Sequence, residues 1–109
     1  MTVRIIIVDD HQLAREGLKA VLSDDGFAVI GEADSGEAAV SLVTQLKPDV
    51  VLMDVRLGAG IDGLEATRRI AALGLPSKVL MLSLHEMPAY VREALAAGAC
   101  GYVLKDASI

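Results

Sequence analysis

Asp9 and Asp10 follow directly on Ile5-Ile6-Ile7-Val8. A run of β-branched residues reads as a buried strand, and a buried strand does not tolerate unpaired charge, so the two acids must lie at its end. Asp54 closes a second apolar run, Val50-Val51-Leu52-Met53, and Ser83 and Lys105 close two more. Two carboxylates about 4 Å apart repel by about 4 kcal/mol at an effective dielectric of about 20, so converging acids need shifted pKa values or a cation. The one ammonium of Lys105 does not balance three carboxylates. A hard divalent ion fits better, and few carboxylates with open water positions suit Mg2+ more than Ca2+. A metal held in this way leaves room for a phosphoryl oxygen, with Ser83 and Lys105 on the remaining oxygens. Asp54, at the centre, is placed to be the nucleophile and become an acyl phosphate.

Each residue alone has a plainer reading. Asp10 ahead of a helix reads as an N-cap and Asp54 as a turn residue; Ser83 carries almost no information, and a lone Lys105 reads as solvated surface. Their joint occurrence at four strand ends is what sets the set apart. His11 and His85 lack any partner spacing for zinc and read as solvated histidines. Arg68-Arg69 reads as an exposed helix face. Cys100, the single cysteine, reads as a small core residue and fits a reducing compartment.

The elements that must carry these residues alternate in period. Val3–Asp9, Phe27–Glu32, Asp49–Asp54, Lys78–Leu82 and Gly101–Leu104 read as short apolar strands. Between them run helical stripes: Ala14, Leu18, Val21 and Leu22; then Ala39, Leu42, Val43 and Leu46; then Ala66, Ile70 and Leu73; then Val91, Ala94 and Leu95. Gly26, Gly74 and Gly98 stand where helix C-caps belong, and Pro48 follows the second helix. Five strands alternating with four helices predict right-handed βαβ units around a parallel sheet. Ligands of such sheets bind beyond the carboxyl ends of the strands, where the strand order reverses. If the order is 2-1-3-4-5, the strands of Asp9-Asp10 and Asp54 are neighbours at that point.

The 109 residues suffice for one domain with its own core. Hydrophobic residues make up 53% of the chain, yet no apolar run approaches the about 18 residues of a membrane helix. The first strand begins too early for a signal peptide. A net charge of -5 argues against nucleic-acid binding by these residues themselves.

The segments IIIVDDHQLAREGL, PDVVLMDVRL, DGLEATRRI, VLMLSLH and AGACGYVLKDAS carry a resemblance that runs over essentially the whole chain. It resembles the receiver domain of response regulators in two-component signalling. The resemblance implies a flavodoxin-like, doubly wound sheet of five parallel strands in the order 2-1-3-4-5. It implies that Asp9, Asp10, Asp54 and the backbone carbonyl of Arg56 bind Mg2+, and that Asp54 accepts the phosphoryl group. Ser83 and Lys105 would contact that group, and Ser83 and Tyr102 would form the switch pair. Arg56 and His85 would tune the phosphoryl lifetime. The stretch after His11 and the ending GYVLKDAS are similar to the class whose output is a helix-turn-helix DNA-binding domain.

The resemblance thus implies a cytoplasmic switch that assists only its own phosphorylation and dephosphorylation. A sensor histidine kinase would be its partner, and a homodimer would form on activation. It would reach DNA only through an output domain outside these residues, and no membrane. Two departures stand out. Gly58 takes the place where the family usually has Pro, and the stretch from Asp54 to Asp62-Gly63 is one residue longer than usual. The 109 residues would then form one receiver domain that stops at Ile109, before the expected fifth helix.

Two other classes meet part of the pattern. An Mg2+-dependent phosphohydrolase of the haloacid dehalogenase type also uses Asp, Ser or Thr, and Lys at strand ends. Its nucleophile lies on the first strand with a second Asp two residues on, where Arg56 follows Asp54 here, and its acidic pair comes late. In a flavodoxin-like cofactor binder, Asp9-Asp10 would repel the phosphate that the site must hold.

Overall fold

β-Branched runs flanked by polar turns become the interior of one sheet. A computed structural model describes residues 2–57, 60–83 and 88–104, with the backbone alone for 83, 88–90, 102 and 104. The elements follow in the order β1 (Arg4–Val8), α1 (Gln12–Asp24), β2 (Ala28–Ala33), α2 (Gly36–Leu46), β3 (Val50–Asp54), α3 (Gly63–Ala72), β4 (Lys78–Ser83), α4 (Pro88–Ala96) and β5 (Gly101–Leu104). The strands pair in parallel in the order β2-β1-β3-β4-β5, as the resemblance implies. The strand ends differ from expectation by a residue or two, because ladder hydrogen bonds rather than hydropathy set them.

Strand alternation divides the apolar side chains between two layers. Ile6, Val8, Val51, Met53, Val79 and Met81 face α2, α3 and α4, where Ala39, Val43, Ala66, Ile70 and Ala94 complete the larger cluster. Ile5, Ile7, Leu52 and Leu82 face the other way, against Leu18 and Leu22 of α1. No residue of α1 is fully buried.

The amino edge of the sheet is pinned to α2. Lys47 ends that helix at φ 48°, and the Arg4 guanidinium donates to the carbonyls of Lys47 at 3.0 Å and Leu46 at 2.8 Å. These are orphan carbonyls of the last turn, and a cation there also meets the negative end of the helix dipole.

Four apolar expectations need correction. Cys100 is exposed, not a core residue: its N–H bonds the Val79 carbonyl at 2.8 Å as the chain enters β5, and the buried neighbour is Ala99. Val21, Leu73 and Leu95 are 56%, 40% and 51% exposed. Leu73 lies past the last turn of α3, and Leu95 flanks the buried Ala94 rather than sharing its side of the helix. Val21 lies beside the contact that Leu18 and Leu22 make with the sheet.

Candidate functional site

Parallel register brings the acids together. Val8 pairs with Met53, so Asp9 and Asp54 come next to each other at the carboxyl ends of β1 and β3. Asp54 in turn pairs with Leu82, one residue before Ser83, and Ser83 pairs with Leu104. The backbone of Ser83 therefore ends β4 beside Asp54, and that of Tyr102 lies within β5. Lys105 and His85 lie outside the described residues.

Asp9 is 1% exposed. Its N–H donates to the Ala33 carbonyl of β2 at 3.0 Å, and its Oδ1 accepts the N–H of His11 at 2.9 Å. His11 is the N-cap of α1 and makes no side-chain cap, so Asp10 is not the cap residue. Asp10 Oδ1 is buried and accepts no hydrogen bond; His11 Nδ1 lies 3.0 Å away, an ion-pair partner when the imidazole is protonated. His11 itself is exposed, as expected, yet its ring reaches both acids.

Asp54 is 8% exposed, and its Oδ1 accepts the N–H of Arg56 at 3.2 Å, which turns the chain sharply after β3. Val55 still reaches β4 through its N–H to the Leu82 carbonyl, 3.1 Å. The loop returns to the site at α3. Gly63 donates to the Val55 carbonyl at 3.0 Å and lies so close to the Asp54 carbonyl that a β-carbon would collide with it. Asp62 caps α3 by accepting the Glu65 N–H at 2.8 Å, and Glu37 of α2 accepts the N–H of Ile61 at 3.2 Å. Gly58, the first departure noted in the sequence, lies outside the described residues.

The residues present fit a hard divalent cation. Asp9, Asp10 and His11 each offer one ligand atom, all within 4.8 Å of one another. Two of the three are carboxylates, and the buried Asp10 Oδ1 is an acceptor without a donor, a costly arrangement that a cation relieves. The sequence reading missed Arg15, Glu32, Glu37 and Gly63, all of which hold this corner. A cation one turn into the helix after an acid pair is the signal that would have found Arg15. Among the described residues, no helix is long and apolar enough to cross a membrane.

The chain is similar to known proteins over nearly its whole length. The family profile described as Response regulator receiver domain matches residues 5–109. Response regulator GacA of Pseudomonas viridiflava is 44% identical over 108 residues, 98% of this chain and 50% of its own length. The probable transcriptional regulatory protein NarL of Mycobacterium tuberculosis is 44% identical over 107 residues, 97% of this chain and 49% of its own. The chain thus spans about half the length of the curated relatives it matches. Among solved structures, the signal receiver domain of the putative response regulator NarL from M. tuberculosis matches with a TM-score of 0.92 at 42% identity, over 98% of this chain and 86% of that one. A LuxR-family two-component response regulator from Aurantimonas sp. SI85-9A1 gives 0.93 at 38% identity, over 99% and 77%.

Proposed function

Because this chain belongs to the response regulator receiver domain family, we propose that it is a phosphorylation-dependent signalling switch whose phosphoacceptor is Asp54. The observation that carries the reading is the meeting of Asp9, Asp10 and Asp54 at adjacent strand ends, with the buried Asp10 Oδ1 lacking a donor.

A carboxylate oxygen of Asp54 attacks the phosphorus of a phosphohistidine on a sensor histidine kinase. The P–O bond forms as the P–N bond breaks, and the imidazole keeps the electron pair. The N–H of Arg56 on Asp54 Oδ1 orients the carboxylate for that attack. Asp9, Asp10, Asp54 and the Arg56 carbonyl would hold Mg2+, which when bound supplies positive charge against the phosphoryl oxygens. Ser83 and Lys105 would contact those oxygens. The new group adds close to two negative charges and strong acceptors, which draw the Ser83 hydroxyl inward. Tyr102 then turns into the vacated space and changes the face of α4 and β5, so phosphorylation biases a two-state pair.

The chain assists this reaction and its reversal on itself alone. Relatives of about twice its length include proteins named as transcriptional regulators. The switch accordingly controls a transcriptional output domain, which contacts DNA in place of this acidic module, and activation favours a homodimer. A small phosphodonor such as acetyl phosphate with Mg2+ should add one phosphoryl group per chain, and chelation should prevent it. Asp54→Asn keeps the shape and removes the nucleophile. Labelling of that variant at wild-type stoichiometry would sink the assignment.

A further inference from the structure

Asp9 is held by more than its own strand. β1 ends at Val8 and α1 begins at Gln12, so Asp9 lies in the turn between the two elements. Arg15, in the first turn of α1, donates to its carbonyl, with Nη1 2.7 Å from that oxygen. The same guanidinium donates through Nε to Glu32 Oε1 at 3.3 Å. Glu32 precedes Ala33 in β2, and the Ala33 carbonyl accepts the Asp9 N–H at 3.0 Å. The contacts close a ring through β1, α1 and β2. A planar guanidinium can serve a carbonyl and a carboxylate at once, which an ammonium does less well.

The ring has an electrostatic side. Arg15 is 16% exposed, so water screens its charge poorly. A bare cation this near Asp9 would oppose a second cation at the acid pair, and Glu32 offsets it. Lys19 reaches the other oxygen of Glu32 at 3.3 Å. Resting on the metal reading above, we propose that Arg15 is a positioning residue of the metal site. It fixes Asp9 through the backbone, while Glu32 neutralises the guanidinium that does so. Residues that orient a ligand without touching the metal typically change metal affinity by about 10–100-fold.

Binding of Mn2+, followed by its electron paramagnetic resonance signal on the whole chain, tests this. Arg15→Gln should bind Mn2+ about tenfold more weakly than wild type or worse, and Arg15→Lys should recover part of the loss. Glu32→Gln should also weaken binding, and the double variant should lose less than the two single losses combined, because the residues act as one unit. Lys19→Gln removes an ion pair to the same Glu32 but no contact to Asp9, and should bind no more weakly than wild type. In metal-free protein the amide resonances of Asp10 and His11 should move in Arg15→Gln and stay in Lys19→Gln. Equal Mn2+ affinity in wild type and a folded Arg15→Gln overturns the proposal alone. A wild type that binds no Mn2+ overturns the metal reading and this proposal with it. Should Arg15→Gln not fold, unchanged affinity in both Arg15→Lys and Glu32→Gln overturns the proposal.

Discussion

Gly63 presses its α-carbon against the backbone carbonyl of Asp54, with no room for a side chain between them. The first residue of α3 is therefore part of the wall behind the proposed phosphoacceptor. Gly63→Ala must displace either the helix or the end of β3. It should cost about 1–3 kcal/mol, as overpacking does, read from the urea midpoint. It should also weaken Mn2+ binding, because Asp54 moves. A variant of wild-type stability would mean that the loop yields freely.

Asp10 is the residue where function and stability should part. Its buried Oδ1 has no hydrogen-bond donor, so while His11 is neutral the charge is a liability until a metal cation arrives. Asp10→Asn should raise metal-free stability by about 1 kcal/mol. Mg2+ should raise the melting temperature of wild type, by preferential binding to the folded state, and leave that of the variant unmoved. Loss of stability in the metal-free variant would refute the account.

Arg4→Ala should act at the opposite end of the sheet. It removes the two bonds that close α2 and should cost about 1 kcal/mol, since the pair of contacts is exposed. Mn2+ affinity should stay at the wild-type value, because the acids lie at the far ends of the strands. Calorimetry and metal titration on one sample check both halves.

Glu65 on α3 supplies a pH prediction. The hydrogen bond from Arg69, aided by Arg68, holds its carboxyl below the ordinary value of 4.5. A lowered folded pKa means that the contribution is complete above the unfolded-chain value. It disappears as pH falls through the lowered one. Glu65→Gln should be less stable than wild type at neutral pH, and the difference should vanish as pH falls through the lowered pKa, which flattens the acid limb of the stability curve. Molar salt should shrink the difference, as the network lies at the surface.

The acid corner was legible in the sequence because charge cannot follow Ile-Ile-Ile-Val inside a sheet, so Asp9, Asp10 and Asp54 had to lie at strand ends. The strand order came with the family resemblance. Val21, Leu73 and Leu95 went astray because a helical stripe counts spacing, whereas the curved sheet decides which of its members are covered. Arg15 and Glu32 were missed for another reason: a cation one turn past the acid pair marks Arg15, but nothing in the residue types names a backbone carbonyl as its acceptor or Glu32 as its partner. Gly63 showed only as an Asp-Gly step at a helix start, which many turns share.

β1 is made first, yet it lies between β2 and β3 in the finished sheet. Asp9 and Asp54, nearly half the chain apart, meet only after β3 has docked. Such long-range parallel pairing is slow, since loop closure precedes any reward. Metal affinity should therefore arrive with the last cooperative step of refolding, in one phase with global folding when followed by stopped flow. A chain caught earlier has β1 and no acid corner, and the proposed switch stays silent until the fold is whole.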